Sequence, residues 1–557
     1  WSSDVCSSDL DEERIQELPL NGRDFSQLPL VQTGVTDVLT GDSAFSKGSG
    51  SRISMGGSRV DQTAWLLDGT NIHSPSFFGT PGGAAGVMLG VDAVREFQVL
   101  TSNYSAEVGG SSGGVVNMVT KSGTNQWHGT LFHSIRNSAL NARGMNDIPR
   151  KAAFNWNQLG ASVGGKIKQD RTFFFANYET IIRRSGVTQS PSVPDDLVRQ
   201  GLIPVNSLAG GRRQVNVAPS VRPFLDLYPR VNGGAVGGSN SGVGAHFFST
   251  PNPINEHYWV GRVDHQINSK QSLFFRATID NGDITNPDPL PITNTESEMN
   301  SRYGTLAHDY VVSPTFLLSS RLAANRTLLG ADEIPLVDYP ASLNKLLPGY
   351  LFTVGYTGVT SLGINTQNVI RHAQTLWTLD ERAQVTRGAH SIKFGITFDR
   401  VESSRRGGSA GLNGSMGWAG VEQFLTDQRP QTFAGAAPGL DNARTYLQHV
   451  YGFFFQDDWK ARPNLTLNLG LRYDPSDGPN ERHHRESTVD NWQTATAFQT
   501  NIGLFNNPSG RYWSPRVGFA WDPQSNGMTA VRGGFGLFYM QLLSAHYVVQ
   551  GAKNQPF

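Results

Sequence analysis

The length, composition and charge of the chain exclude several classes of protein. The 557 residues include 46 Lys and Arg against 46 Asp and Glu, so the formal net charge is zero, and a strongly basic nucleic-acid-binding protein is disfavoured. The single cysteine, Cys6, excludes a disulfide-stabilised scaffold, a cysteine-based zinc site and an iron–sulfur cluster. With 62 glycines, 10% aromatic residues and only 17% charged residues, the composition favours many strands and turns.

The first ten residues differ from the rest of the chain. Segment 1–10, WSSDVCSSDL, repeats Ser-Ser-Asp, and we interpret it as an artefact of sequence assembly or a disordered lead-in. The chain begins with Trp and lacks the basic, apolar and small-residue regions of a signal peptide, so we expect its natural N-terminus to be processed or missing. No apolar run approaches the ~18 residues of a membrane-spanning helix, and contact with a bilayer would therefore be made by strands.

Residues 11–125 predict a small α+β domain. Residues 11–18 are the one good helical opening, with acidic residues in the first turn that suit the helix dipole. Short β-rich segments follow between glycine-rich turns, at 52–55, 64–68, 96–100 and 114–120. The pair Asp68-Gly69 ends one of these segments, where it is typical of a turn rather than of a catalytic carboxylate.

Residues 126–557 predict a transmembrane β-barrel. In 465–473, apolar side chains alternate with polar or small ones: Leu465, Leu467, Leu469, Leu471 and Tyr473 share one face. A period of two over this length is typical of a strand, and 273–280, 391–399 and 531–539 repeat it. One face is apolar, as lipid requires, and the other is polar without being uniformly charged, as a wet lumen requires.

The connections between these segments are alternately short and long. Six are tight turns, at 168–171, 268–271, 313–315, 387–390, 462–464 and 523–527, whereas five run for tens of residues, at 180–254, 282–301, 328–368, 403–444 and 475–510. Short periplasmic turns opposite long extracellular loops are typical of outer-membrane barrels. Because the long connections are rich in Gly, Pro, Asn and Ser, we expect them to be solvated excursions.

Aromatic residues near the strand ends, such as Trp513 and Trp521, suit the two interfaces of a bilayer. The alternative is the core of a soluble sandwich or propeller, but no repeat of ~40–50 residues supports it. About thirteen strands are predicted between 126 and 557, and an odd number cannot close a single-chain bacterial barrel. We therefore predict a mainly β protein, an incomplete antiparallel transmembrane barrel with a small α+β domain, and we expect the chain to be truncated at its C-terminus.

Several motifs in residues 18–123 carry a resemblance to a known family. The sequence has LPLNGRDF at 18–25, RISMGGSR at 52–59, WLLDG at 65–69, VREFQVL at 94–100, YSAEVG at 104–109 and GGVVNMVTKSG at 113–123. Their order and spacing resemble the plug of TonB-dependent outer-membrane receptors, with motif residues Asp68, Gly69, Gly113, Gly114, Asn117, Thr120 and Lys121. With TNQWHG at 124–129 before the first strand, the chain is most similar to the large Oar-like branch.

The resemblance implies a domain organisation and a function. Residues 11–125 would be the plug, and 126–557 the first part of a barrel with 22 strands in the family. The implied function is active transport, by uptake or export, of a large substrate across the outer membrane of a Gram-negative cell. The implied partners are outer-membrane lipid, a TonB-type energising complex and an unknown transported ligand, with no nucleic acid.

The chain departs from the family pattern in two respects. The TonB box and the carboxypeptidase-regulatory-like module that often precede the plug are absent from the sequence as given, so contact with TonB would need an N-terminal segment absent here. Gly56-Gly57 stands where many relatives carry Arg-Gly, so the resemblance assigns no plug arginine that pairs with the barrel wall. Independently of the family, Gly109, Gly110, Gly113 and Gly114 are predicted to permit positive φ and close backbone approach.

The loop 69–79, GTNIHSPSFFG, is the candidate for contact with substrate. Its two adjacent aromatic residues, Phe77 and Phe78, lie among turn formers and beside His73, and such rings seldom face water without reason. Resemblance to other plugs would place the loop at the plug apex, with His73, Phe77 and Phe78 forming part of a substrate platform. The alternative is that both rings anchor the loop against the barrel wall.

No motif in the chain predicts catalysis, a metal or a cofactor. Lys121-Ser122 follows Thr120 rather than Gly, so it is not a nucleotide-binding loop. The pair His483-His484 favours a solvated loop over a metal site, and 280–283, DNGD, lacks the spacing of a calcium loop and is interpreted as a turn. We therefore expect a protein that is not an enzyme.

Two other classes of function remain as alternatives. One is a passive outer-membrane porin or adhesin barrel, for which a plug would be unnecessary. The other is a soluble, secreted β-rich binding protein, which would need no detergent for purification.

Overall fold

The computed structural model describes most of the chain. The described residues are 7–11, 15, 18, 20–38, 52–74, 80–87, 89–101, 104–142, 151, 153–205, 211–343, 350–364, 369–407, 413–435, 441–489, 491–500, 503, 507 and 509–552. Among them, no helix is long and apolar enough to cross a membrane.

A small five-stranded sheet organises the first part of the chain. Its strands are β1 (Ser7–Asp11), β2 (Thr63–Leu67), β3 (Thr70–Asn71), β4 (Val94–Leu100) and β5 (Gly114–Thr120). The order is β1-β4-β5-β2-β3, and only the pairing of β2 with β5 is parallel. Trp65, Phe97, Val116 and Met118 lie at its buried centre. We call residues 7–121 the N-terminal unit.

Short elements complete the N-terminal unit. They are the paired strands Val35–Asp37 and Ile53–Met55 and the 3-10 helices Asn21–Arg23, Phe25–Val31, Val60–Gln62 and Val91–Ala93. The predicted β-segments at 52–55, 64–68, 96–100 and 114–120 are all observed within a residue or two. Residues 7–11, mostly within the segment set aside above, pair with β4 as an edge strand. Most of the predicted helix at 11–18 lies outside the described residues.

Thirteen strands form one large antiparallel sheet, which we call the wall. They are β6 (His128–Asn137), β7 (Phe154–Lys168), β8 (Thr172–Gln189), β9 (Phe248–Asn268), β10 (Gln271–Pro287), β11 (Thr293–Ser313), β12 (Phe316–Pro335), β13 (Ile370–Arg387), β14 (His390–Gly407), β15 (Arg444–Arg462), β16 (Leu465–Tyr473), β17 (Trp513–Trp521) and β18 (Val531–Gly536). Each pairs with the next along the chain, and Asn480–Glu481 adds a short pairing beside β15. In the part of the chain that the structure describes, the number of strands in the wall therefore agrees with the prediction of about thirteen.

The two faces of the wall differ as the alternating pattern predicts. Large apolar side chains remain exposed on the outer face, where Leu469 is 38% exposed. The inner face carries polar and charged side chains that are buried by the N-terminal unit, such as Arg276 at 0% exposure. Trp513 and Trp521, at the two ends of β17, are both exposed, which is the arrangement expected of aromatic residues at two bilayer interfaces.

The predicted tight turns are correct, but the predicted bounds of the long connections are not. All six tight turns lie where the sequence places them. The strands β9 and β11 each reach 21 residues, about twice the ~10 residues needed to cross a bilayer, so they extend beyond it on the long-loop side. For this reason 280–283 is part of β10 rather than a turn, and only 288–292 separate β10 from β11.

The long connections contain a folded lobe, which we call the loop lobe. It comprises strands Ser192–Pro194, Leu202–Pro204, Arg212–Gln214, Val243–Ala245, Thr353–Tyr356, Ser415–Trp418 and Thr432–Ala434, a 3-10 helix at Ala341–Leu343, and helices α1 (Asp196–Arg199), α2 (Arg222–Leu227) and α3 (Val421–Leu425). Thr353–Tyr356 pairs in parallel with Ser415–Trp418, which joins two separate connections. Shorter elements elsewhere are Ser487–Thr488, Gln499–Thr500, Ser138–Leu140 and Ser509–Arg511.

The expectation that the long connections are solvated excursions is therefore wrong for those that form the loop lobe, whereas residues 491–500 are exposed as expected. The loop lobe has its own hydrophobic core, which includes Val198, Leu225, Leu351, Trp418 and Leu425. Each such side chain stabilises the lobe by roughly 1.5–3 kcal/mol when fully buried. The glycines and prolines that suggested solvated loops instead connect short elements, whose apolar residues are too far apart in sequence for a local pattern to reveal their contacts.

Beyond β18 the chain turns inward. The predicted strand 531–539 ends at Gly536, and Phe538 packs against Tyr104 with 4.7 Å between the ring centroids. Helix α4 (Ser544–Ala552) then packs against β14 and β15. His546 Nε2 lies 3.1 Å from Asp61 Oδ2, so this helix also contacts the N-terminal unit.

Candidate functional site

Four of the predicted motif residues, Asp68, Gly69, Asn117 and Thr120, are joined at one end of the small sheet, whereas Gly113 and Gly114 lie at the start of β5, beside Thr63. Asp68 and Gly69 form the turn after β2 and both have positive φ, 51° and 78°, which Asp tolerates better than most residues. The Asp68 carboxylate accepts hydrogen bonds from the Thr120 N–H, at 2.9 Å, and from the Thr120 hydroxyl, at 2.9 and 3.1 Å. Asn117 Oδ1 accepts one from the Gly69 N–H at 3.2 Å. These contacts tie the ends of β2 and β5 together.

The same carboxylate connects the N-terminal unit to the wall. Arg276 Nε lies 2.8 Å from Asp68 Oδ2, and Arg262 Nη1 lies 3.4 Å from Asp68 Oδ1. All three side chains are buried, and that of Arg276 is fully so. The resemblance did not assign a plug arginine that pairs with the barrel wall. The structure shows an ion pair between unit and wall with the charges exchanged: the N-terminal unit supplies the carboxylate, and the wall supplies two arginines.

The glycine motif serves close packing more than positive φ. Of Gly109, Gly110, Gly113 and Gly114, only Gly110 has a positive φ, 71°. A Cβ atom at Gly114 would collide with the Met55 side chain, and one at Gly113 with Ser58. Beyond the motif, the Lys121 N–H donates to the Ala93 carbonyl at 2.8 Å.

Two wall arginines bind the backbone of segment 104–107. Arg472 Nη1 donates to the carbonyls of Ala106 and Glu107, at 3.2 and 3.3 Å. Arg516 Nη1 donates to the carbonyls of Tyr104, at 3.1 Å, and Ser105. Because guanidinium groups donate several hydrogen bonds from one plane, each arginine satisfies two consecutive carbonyls that the small sheet leaves free.

Two wall carboxylates bind the backbone of segment 83–90. Glu256 Oε2 accepts a hydrogen bond from the Ala85 N–H at 2.6 Å, and Glu179 Oε2 accepts one from the Gly90 N–H at 2.9 Å. Glu179 Oε1 also accepts one from Gln158 Nε2 at 2.7 Å, within the wall. A Cβ atom at Gly83 would collide with the Glu256 carboxylate, so a larger residue there would displace the group that binds the Ala85 N–H.

Two cavities lie between the N-terminal unit and the wall. The first, of about 420 Å³, extends toward the long connections, where Asp474, Ser476 and Asn507 line it; we call it the loop-side cavity. The second, also of about 420 Å³, is lined by His265 and Ser272 beside the tight turn between β9 and β10; we call it the turn-side cavity.

Of the three predicted substrate contacts, the structure describes His73. His73 lines the loop-side cavity, and its Nε2–H donates to the Thr63 carbonyl at 2.7 Å. Its own carbonyl accepts a hydrogen bond from Gln374 Nε2 of β13 at 3.1 Å. Burial lowers the pKa of His73 below its ordinary value of 6.5, against the opposing effect of the bond to Thr63. Phe77 and Phe78 lie outside the described residues.

The lowered pKa of His73 predicts a loss of stability at mildly acidic pH. An unfolded His73 takes up a proton near pH 6.5 that the folded ring resists, so stability falls as the pH drops below about 6.5. We expect a smaller decrease in melting temperature between about pH 7.5 and about pH 5.5 for His73→Gln, whose amide can still donate to Thr63. His133→Gln, at an exposed position, is the control. Equal decreases in His73→Gln and in the unsubstituted protein would contradict this prediction.

The prediction about a metal site concerns a different part of the chain, the histidine pair His483-His484. The carboxylate of Glu481, beside the histidine pair, accepts hydrogen bonds from the backbone N–H groups of His483 and Arg485, at 2.9 and 2.8 Å. Within the part of the chain that the structure describes, no group of three or more His, Cys, Asp or Glu is arranged to hold a metal ion.

The fold and the site together define a class of protein. A wall of antiparallel strands that is apolar outside and polar inside, and that holds a small folded unit against its inner face, is the architecture of an outer-membrane barrel with a filled lumen. The chain belongs to the outer membrane beta barrel domain family, which matches residues 119–557. The outer membrane is therefore its location, as the sequence predicted.

A curated protein of similar sequence indicates which branch of this class the chain resembles. The TonB-dependent transporter Oar of Myxococcus xanthus is 24% identical over 568 residues, covering 88% of this chain and 47% of the relative. Thus the chain spans about half the length of the curated relative it matches. This similarity confirms the predicted resemblance to TonB-dependent receptors and their Oar-like branch.

Solved structures support the same fold. The outer-membrane transporter YddB from Escherichia coli has a TM-score of 0.60 at 12% identity, covering 96% of this chain and 61% of that one. The siderophore receptor PirA from Acinetobacter baumannii has a TM-score of 0.53 at 14% identity, covering 97% and 62%. These relatives are named as transporters and receptors rather than enzymes, in agreement with the prediction for this chain.

Sequence analysis missed the wall residues that hold the N-terminal unit. These are the four arginines and two glutamates described above: Arg262, Arg276, Arg472, Arg516, Glu179 and Glu256. One signal was available for Arg276 and Arg472, because each is a charged residue on the polar face of an alternating segment, 273–280 or 465–473. Such a position costs free energy unless the charge is paired or hydrated, and it therefore indicates a partner inside the wall.

Proposed function

We propose that the protein is a TonB-dependent outer-membrane transporter, with residues 11–125 as its plug and 126–557 in its barrel. The observation that carries this proposal is the attachment of the N-terminal unit to the inner face of the wall. Asp68 pairs with Arg262 and Arg276 across this contact. The name of the similar Oar protein, a TonB-dependent transporter, supports the same function.

The contacts between unit and wall suit a plug that is released only when energy is supplied. Arg472 and Arg516 bind its backbone through charged guanidinium groups, whose hydrogen bonds each contribute about 1.5–3 kcal/mol, and Glu179 and Glu256 accept hydrogen bonds from two further backbone N–H groups. A bound ligand shifts such an equilibrium only by its difference in affinity for the two states. A TonB-type complex would supply the remaining energy from the inner membrane, through a segment N-terminal to the residues given.

Substrate would bind first from the long-loop side. Short turns face the periplasm in outer-membrane barrels, so the loop-side cavity opens toward the cell exterior. His73 lines it, and we propose His73, with Phe77 and Phe78 of the same loop, as substrate contacts. The motif residues Asp68, Gly69, Gly113, Gly114, Asn117, Thr120 and Lys121 would keep the plug folded and docked, and Gly69 among them also lines the loop-side cavity.

Release of the plug can be tested by chemical labelling in cells. The Thr70 hydroxyl lies 3.2 Å from that of Thr305, at a buried contact between unit and wall. In the complete protein with Cys6→Ser, we expect Thr70→Cys to react with a hydrophilic maleimide in cells with an intact TonB system. It should remain protected in an otherwise identical strain that lacks TonB, because only the energised plug leaves the wall.

Ser476→Cys provides the control, since Ser476 lines the loop-side cavity and should be labelled in both strains. Labelling of Thr70→Cys in both strains would instead indicate a passive, open barrel. Protection in both strains would indicate a fixed plug and would contradict energised transport.

A further inference from the structure

The two cavities adjoin at a place that we call the constriction. They share two lining residues, Gly69 of the N-terminal unit and Arg382 of the wall. Gly69 carries no side chain, and a Cβ atom there would be 3.7 Å from Arg321 Nε. Among the residues that the structure describes, Arg382 therefore supplies the side chain that lines both the loop-side cavity and the turn-side cavity.

Ion pairs hold the Arg382 guanidinium in this position. On its own strand, Nε lies 2.6 Å from Asp380 Oδ1 and Nη2 lies 3.0 Å from Asp380 Oδ2. Across the gap, Nη1 lies 3.7 Å from Glu107 Oε2 of the N-terminal unit. Two-point contact with Asp380 fixes the plane of the guanidinium, and Glu107 draws its free edge toward the unit.

Glu107 is held as a carboxylate by a second wall residue. Lys393 Nζ donates to Glu107 Oε1 at 2.7 Å. Burial raises the pKa of Glu107, but the charge and hydrogen bond of Lys393 and the charge of Arg382 outweigh it, and the pKa lies below its ordinary value. At neutral pH Glu107 is ionised and attracts both cations.

We propose that Arg382 is a gate residue between the two cavities, and that its ion pair with Glu107 couples the gate to the N-terminal unit. The proposal rests on the proposed transport function and adds the residue that closes the path. When the unit moves, Glu107 leaves with it. Arg382 then keeps only Asp380, two residues away on the same strand, and its side chain lies along the wall instead of across the constriction.

The gate can be tested without substrate or TonB. The complete protein, as its gene encodes it, is reconstituted in planar lipid bilayers, and the KCl conductance is measured. We expect Arg382→Ala to raise the conductance severalfold, since the obstacle is removed while the unit stays docked through Asp68. Glu107→Gln should give a smaller rise, because Arg382 keeps its pairing with Asp380.

Arg400→Ala is the matched control. Arg400 lies on the neighbouring strand β14 and makes a similar ion pair with Glu402, two residues along, at 2.9 Å, but it lines neither cavity. Its loss should leave the conductance unchanged. Folding of each variant is checked by heat-modifiable migration in gels. If Arg382→Ala does not fold, the rise expected in Glu107→Gln carries the test.

A folded Arg382→Ala protein with the same conductance as the unsubstituted protein would overturn the gate. If Arg382→Ala does not fold, an unchanged conductance in Glu107→Gln would overturn it. An equal rise in Arg400→Ala would also overturn it, because the leak would then reflect a general loosening of the wall. These outcomes are independent of the maleimide test, which reports TonB-driven movement in cells. The conductance measurement can therefore contradict the gate while the labelling supports energised transport. Equally, the labelling can contradict energised transport while the conductance supports the gate.

Discussion

Replacing Asp68 by alanine is expected to lower the free energy of unfolding by about 3–5 kcal/mol, the cost of removing one partner of a buried ion pair. The Arg276 guanidinium would remain fully buried without its carboxylate, 2.8 Å away in the structure. The Thr120 N–H would also lose its acceptor. Urea unfolding of the complete protein in detergent, followed by tryptophan fluorescence, measures this loss.

Two further variants show whether the loss in free energy of unfolding comes from the buried charge or from substitution in general. Arg230→Ala removes an exposed ion pair with Asp196 and should cost no more than about 1 kcal/mol. Combining Asp68→Ala with Arg276→Met should recover part of the stability, since no unpaired charge is then buried at Arg276. A loss below about 1 kcal/mol for Asp68→Ala alone would show that water reaches Arg276 and that the contact does not hold the unit.

Placing an arginine at Leu469 is expected to destabilise the barrel by about 2–4 kcal/mol, the cost of such a charge on the lipid face near the middle of a membrane. Leu469 lies at the centre of β16 (Leu465–Tyr473) and is exposed on the outer face. The same change at Thr466, on the inner face of that strand, should cost much less, because the lumen is polar. Folding equilibria in lipid vesicles and in detergent compare the two variants.

Measuring both variants in detergent as well as in lipid vesicles provides the control for this comparison. In detergent micelles, which deform around a charge more easily than a bilayer does, the difference between Leu469→Arg and Thr466→Arg should shrink. Equal costs at the two positions in vesicles would mean that the outer face does not meet lipid, and the assignment of the two faces would be wrong.

The sequence alone predicted the features of this protein that depend on neighbouring residues. The strand at 465–473 and the six tight turns follow from local rules, because alternation of side chains is fixed by the geometry of an extended chain. The same alternation assigned Leu469 outward and Arg276 inward without any knowledge of what each would contact. Motifs with fixed spacing, such as 113–123, likewise pointed to the family.

Only the tertiary structure decided which distant residues meet. Asp68 pairs with Arg262 and Arg276, which are 194 and 208 positions further along the chain, and Glu107 pairs with Arg382, which is 275 positions further along. The core of the loop lobe forms from four separate connections in the same way. Alternation states which face a side chain occupies, but its partner depends on how the wall curves around the N-terminal unit and on the register between them, and no local pattern encodes either.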